Sequence, residues 1–183
     1  MSLSLVTPPA AEPVSLADAK AHLKIDTADE DTLVTTLITA ARARTEWYTG
    51  RALLTQSWVL KLDAFPAGGI VEIPLPPLVG VSEIAFNTPD DLRTVQPASS
   101  YRVDAASEPA RVVFAQQPLL LRATDALEIA FSAGYGDAPS VPAAIRQAIL
   151  VVVADLYSHR GDDNAICGPQ ARALLAPYKV FKL

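Results

Sequence analysis

Between Ile145 and Leu156 apolar side chains fall on almost every position. Ile145, Ile149, Val152 and Leu156 form one stripe at helical spacing, and Ala148, Val151, Val153 and Ala154 fill most of the remaining circumference. A helix that is apolar all round must be enclosed on all sides. The pattern predicts a helix from Pro142 to Arg160, with proline in its first turn, His159 and Arg160 in its last turn and Gly161 just past its end. Two covers are open at this point: the chain's own core, or a neighbouring subunit.

The N-terminal part is also helical in period. VSLADAKAHLKI opens with Ser15 and has Asp18 three residues later, the spacing of a capping box with a shortened acid. Leu16, Ala19 and Leu23 make a narrow apolar stripe on that helix. A stronger helix is predicted from about Asp29 to Thr49. Its start is acidic, Leu33, Leu37, Ala41 and Tyr48 recur along one face, and Gly50 supplies a left-handed stop.

The period then changes to two. QSWVLKLDAF alternates, and IVEIPL, VSEIAF, YRVDA, ARVVFA and ALEIAFSAGYG follow, each short and bounded by Pro, Gly, Asn or Asp. A last helix, PQARALLAPY, is closed by Pro177. The fold class expected is α+β: a four-helix bundle, two helices from each end of the chain, with an inserted antiparallel β-sheet or small β-sandwich. The boundaries expected are a flexible N-terminal arm at 1–13, a helical domain from 14–53 and 139–177, a β subdomain at 54–138 and a tail at 178–183. Trp47, Trp58 and Phe65 are placed at the junction of helices and sheet.

Composition narrows the function. Half the residues are hydrophobic, enough for a packed core. The net charge of −5 argues against a protein that grips nucleic-acid phosphates. One cysteine, Cys167, excludes an intramolecular disulfide. No apolar run reaches the length of a membrane span, and the start of the sequence lacks a signal-peptide pattern, so synthesis in the bacterial cytoplasm is expected.

Candidate chemistry is sparse. Cys167 with His159 or His22 has no local nucleophile signature. His159, Asp162 and Asp163 match no metal-ligand spacing, and the acids Asp26, Asp29, Glu30 and Asp31 lack the glycine of a calcium loop. No glycine-rich phosphate loop is present. No catalytic residue, cofactor or metal is assigned. The tail YKVFKL alternates apolar and basic residues, as a strand added to a partner does.

Taken in order, VSLADAKAHLKID, TGRALLTQSWVLKLDAFP, IPLPPLVGVSEIAF, YRVD, FSAGYG and VPAAIRQAILVVVADLYSHRGD resemble the phage head–tail connector, or adaptor, family. The likeness is to its longer branch, found in prophages and in alphaproteobacterial gene transfer agents. It implies a structural protein and not an enzyme: a ring of copies, typically twelve, at the head–tail interface of a virion or phage-like particle. Its implied partners are the portal, a stopper or tail-completion protein and copies of itself, with DNA passing through the lumen without tight binding and no membrane contact. Tyr178, Lys179, Val180, Phe181, Lys182 and Leu183 are the expected portal contacts. Ile149, Val152, Leu156 and Tyr157 are expected at core or subunit-packing positions, and the loop Gly161–Gly168 facing the lumen or a partner. The alternatives are another virion completion protein of stopper type, or a small cytoplasmic enzyme.

Overall fold

The computed structural model describes residues 1–118, 121–159 and 167–180. Among the described residues, eight strands and four α-helices divide into two compact units, Met1–Pro9 with Thr55–Gly134 and Ala10–Leu54 with Tyr135–Leu183. Four helices and antiparallel sheets make the chain α+β.

The first unit is all β. Its strands are β1 (Ser2–Thr7), β2 (Gln56–Leu62), β3 (Ile70–Ile73), β4 (Leu78–Asn87), β5 (Arg93–Val95), β6 (Tyr101–Asp104), β7 (Ala110–Phe114) and β8 (Leu127–Ala133). A five-stranded sheet has the order β1-β2-β8-β4-β5, a three-stranded sheet the order β3-β7-β6, and every pairing is antiparallel. The two-residue period decides which face is hidden. On β8, Leu127, Ile129, Phe131 and Ala133 are buried while the residues between them are half-buried; on β7, Ala110, Val112 and Phe114 are buried. Phe65, Phe86 and Phe114 form an aromatic cluster with centroids 5.2–6.0 Å apart, which joins the two sheets.

The opposite face of the large sheet is held by charge. Lys61 lies 3.4 Å from Glu128, and Arg93 3.2 Å from the same carboxylate while also pairing with Glu83. Asn87 donates to the Asp125 carbonyl at 2.7 Å. Partial burial pushes the Glu128 carboxyl up, but Arg93, Lys61 and Asn87 outweigh it and hold the group below its ordinary value.

The N-terminal segment differs from expectation. Residues 2–7 of the expected flexible arm form edge strand β1, with Leu3 opposite Leu60 and Leu5 opposite Trp58. The alternation of Ser2, Leu3, Ser4 and Leu5 is the strand signal. Its side chains are mostly exposed, so it carries no run of buried residues. Pro8 and Pro9, without N–H donors, follow its end.

The second unit is helical: α1 (Leu16–Leu23), α2 (Asp31–Thr49), α3 (Ala143–Ser158) and α4 (Pro169–Leu175). The capping box forms. The Asp18 amide donates to Ser15 Oγ at 3.0 Å, and the Ser15 amide donates back to the Asp18 carboxylate. Those hydrogen bonds, led by the Ser15 hydroxyl, hold the Asp18 carboxyl below its ordinary value. Gly50, at φ +70°, ends α2 as read, its amide bonding to the Glu46 carbonyl at 2.8 Å. Lys20 reaches Asp31 at 2.5 Å, and Arg42 reaches Glu12 and Glu46 at 2.8 and 2.7 Å.

Helix α3 is the centre of this unit: α1, α2 and α4 all pack against it. Ile145, Ala148, Ile149, Val152 and Val153 are buried there with Val34, Ile38, Ala41, Leu53, Ala171 and Leu175. Ile149 is 0 % exposed and Val152 1 %. The cover for these two is therefore the chain's own core, the first of the two positions expected for them, and subunit packing is set aside at Ile149 and Val152: a side chain already enclosed has no surface left for a neighbour. Leu156 packs partly buried on the same core. Tyr157 is half-buried and donates its hydroxyl proton to Glu30. The helical unit also takes in Leu54 and Tyr135–Ala138, which the expected boundaries placed in the β subdomain; Leu54, Tyr135 and Ala138 belong to or lie against its core.

Two outcomes follow from this packing. Ile149→Ala should destabilise the helical unit by about 2–5 kcal/mol, read as a shift in the urea midpoint of the helical signal, because the enclosed site cannot collapse around the missing atoms. The folded Glu128 carboxyl is depressed, so its contribution is full above its ordinary value of 4.5 and is lost as pH falls through the folded value. Glu128→Gln should be less stable than the wild type at pH 7 and lose less stability on acidification, the two converging towards pH 3, checked by denaturation across pH 3–7.

Candidate partner-binding surface

The C-terminal end of α2 is where the exposed chemistry of the helical unit gathers. Past Gly50 the chain turns to Arg51, which is only 8 % exposed, and its Nε donates to the Tyr178 carbonyl at 2.6 Å. The Val180 amide donates to the Thr49 carbonyl at 2.8 Å, taking up one of the last free carbonyls of α2. The Val180 side chain lies 3.5 Å from where a Cβ on Gly50 would stand, a position whose left-handed backbone already favours glycine. The Lys179 ammonium sits 5.0 Å from the Tyr48 ring centroid. Of the expected portal contacts, Tyr178 is thus held through its carbonyl by the Arg51 side chain and Val180 through its amide by the last residue of α2, and Lys179 keeps an exposed side chain. Phe181, Lys182 and Leu183 lie outside the described residues, as do residues 160–166 of the expected lumen or partner-facing loop.

Beside this tail is a cleft of about 410 Å³ lined by Trp47, Tyr48, Cys167, Arg172 and Lys179. Trp47 is 69 % exposed. Its expected place at the junction of helices and sheet is corrected: it stands on the outward face of α2. Phe65 packs in the aromatic cluster of the β unit, and Trp58 lies on β2 with its indole N–H buried and unpaired among the described residues. Arg172 donates its Nε to the Cys167 carbonyl at 2.7 Å.

Cys167 has the wrong setting for a nucleophile. It is buried, and desolvation pushes its thiol up despite nearby Arg172 and Arg44. His159 is exposed at the end of α3 with its Nδ1 3.0 Å from the Asp155 carbonyl. Among the described residues no group of three or more His, Cys, Asp or Glu side chains could hold a metal ion. A larger cavity in the β unit, about 530 Å³, is lined by Phe86, Phe114 and neutral Thr, Ser and Gln side chains without an ionisable group. Among the described residues no helix is long and apolar enough to cross a membrane.

The connector likeness read from the sequence has independent support. Residues 13–95 match the model of the phage gp6-like head–tail connector protein family, a segment running from α1 through β5. The chain resembles a head–tail connector. Its fold is shared with a chain in the neck of an empty gene transfer agent particle computed with C6 symmetry, at TM-score 0.84 and 26 % identity, covering 100 % of this chain and 97 % of that one. A chain in the neck of a native gene transfer agent particle computed with C12 symmetry matches at TM-score 0.81 and 25 % identity with the same coverage. A chain in the virion of a native gene transfer agent particle has the same fold at TM-score 0.84 and 24 % identity, again with the same coverage. No curated protein sequence matches the chain. In this connector-like chain the cleft itself was missed by sequence reading. The signal available was Trp47 and Tyr48 at the polar-facing end of a helix, but Arg172 and Lys179 approach them only through the fold.

Arg51→Ala should release the segment Tyr178–Val180. The expected result is faster amide exchange at Val180 and a stability loss of about 1.5–3 kcal/mol, the range for hydrogen bonds from charged donors, read by hydrogen exchange and denaturation.

Proposed function

We propose that this chain is the head–tail connector subunit of a tailed phage or gene transfer agent. Copies form a ring between the portal and a stopper or tail component, and the ring continues the channel through which DNA leaves. The observation that carries this reading is the full-length likeness to a chain of a gene transfer agent neck, 100 % of this chain at 26 % identity. The C6 and C12 symmetries of those neck structures support rotationally repeated copies. The family match over residues 13–95 favours a connector over a stopper.

The physical chemistry is in accord. A chain of net charge −5 repels phosphates, so a ring of it would let DNA slide. The role is structural, and the buried, high-pKa thiol of Cys167 fits no hydrolytic site. The portal contacts proposed are residues 181–183, which follow a segment held by the Arg51 side chain at Tyr178 and by the Thr49 carbonyl at Val180.

The test is capture by a portal protein of a gene transfer agent or tailed phage, followed by electron microscopy. A ring of added density on the tail side of the portal is expected, and deletion of residues 181–183 should weaken capture by about tenfold or more. A portal that leaves the intact chain unbound would refute the reading.

A further inference from the structure

The two ends of α2 carry opposite chemistry. At the C-terminal end, Arg172 and Lys179 flank the Trp47–Tyr48 cleft, and Arg44 lies close enough to Cys167 to act on its charge. The carbonyls that would make this end negative are partly occupied: Thr49 accepts from Val180 and Glu46 accepts from Gly50. At the N-terminal end, the loop joining α1 to α2 exposes Asp26 and Asp29. Their neighbours are committed, Asp31 to Lys20 and Glu30 to Tyr157, and Lys24 at the start of the loop is the one positive side chain among residues 24–31. The helix between the two ends has 19 residues, a separation of roughly 28 Å along a rigid element. One molecule therefore cannot bring its own loop into its own cleft.

We propose that the cleft at Trp47 and Arg172 receives the Asp26–Asp29 loop of a second copy of this chain. The Arg172 guanidinium, with Nε already fixed on Cys167, presents its remaining N–H groups to an incoming carboxylate. Lys179 adds a second positive charge. The exposed Trp47 ring supplies apolar area against the loop backbone, the kind of residue that anchors interfaces when water is excluded. The acidic and basic patches are different surfaces, so the contact is heterologous: each copy offers a loop forward and a cleft behind. Such contacts propagate head to tail and close when the rotation per step divides a full turn. Only this closure into a ring rests on the connector reading; the pairing itself rests on the two patches. Opposed charge makes the contact fast to form and sensitive to salt.

The experiment is sedimentation velocity of the full chain over a concentration series at low and high ionic strength, with two variants. One is Trp47→Ala with Arg172→Gln, which disables the cleft. The other is Asp26→Asn with Asp29→Asn, which disables the loop. The intact chain should associate with rising concentration, less so at high salt, and each variant should lose this by about tenfold or more. A mixture of the two should form a 1:1 complex and nothing larger, since it contains one working cleft facing one working loop. Arg172→Lys, which keeps the charge, guards against a folding defect and should retain most of the pairing. An intact chain that stays monomeric throughout, variants that associate normally, or a mixture without a complex would each overturn the proposal. So would a cleft that takes an acidic segment of another neck protein while copies fail to pair. Portal capture is measured in parallel. Loss of capture with pairing intact refutes the connector reading alone; loss of pairing with capture intact refutes this contact alone.

Discussion

Enclosing α3 is the constraint on which the helical unit depends. Its sequence leaves almost no polar face, and each fully buried Ile or Val contributes about 1.5–3 kcal/mol only when water is excluded from it. Three helices and the segment from Tyr135 to Val141 supply that cover. Because α1 and α2 come from one end of the chain and α4 from the other, the unit closes only when distant segments meet. The β unit has the same property, since its edge strand β1 and its other strands are separated by the first two helices. Each unit thus depends on contacts between distant parts of the chain, which raises the entropy cost of reaching the native topology.

Surface chemistry is what remains after those cores are built. In the β unit, charge on the outer sheet face is spent on internal pairing through Lys61, Glu128, Arg93 and Glu83. In the helical unit, Lys20, Arg42 and Glu12 likewise tie one segment to another. The exposed Trp47, Asp26 and Asp29 differ from these because their side chains stand largely in solvent. A protein that works by assembly has reason to keep such groups on its surface.

Sequence alone determined the kinds of elements, several of their ends and the family likeness. The Ser15–Asp18 box, the Gly50 stop and the alternation of β8 are local signals, set by backbone hydrogen bonding and side-chain period within a few residues. Tertiary structure decided what covers each face. Periodicity showed that Ile149 and Val152 need enclosure but could not say by whom, because the hydrophobic effect has no direction and any apolar neighbour satisfies it. It also decided that Ser2–Thr7 is a strand, since an exposed edge is fixed by its partner's backbone and not by burial of its own side chains. The cleft at Trp47 was illegible for the same reason: Tyr48 and Arg172 are more than a hundred residues apart, and only long-range packing brings them to one site.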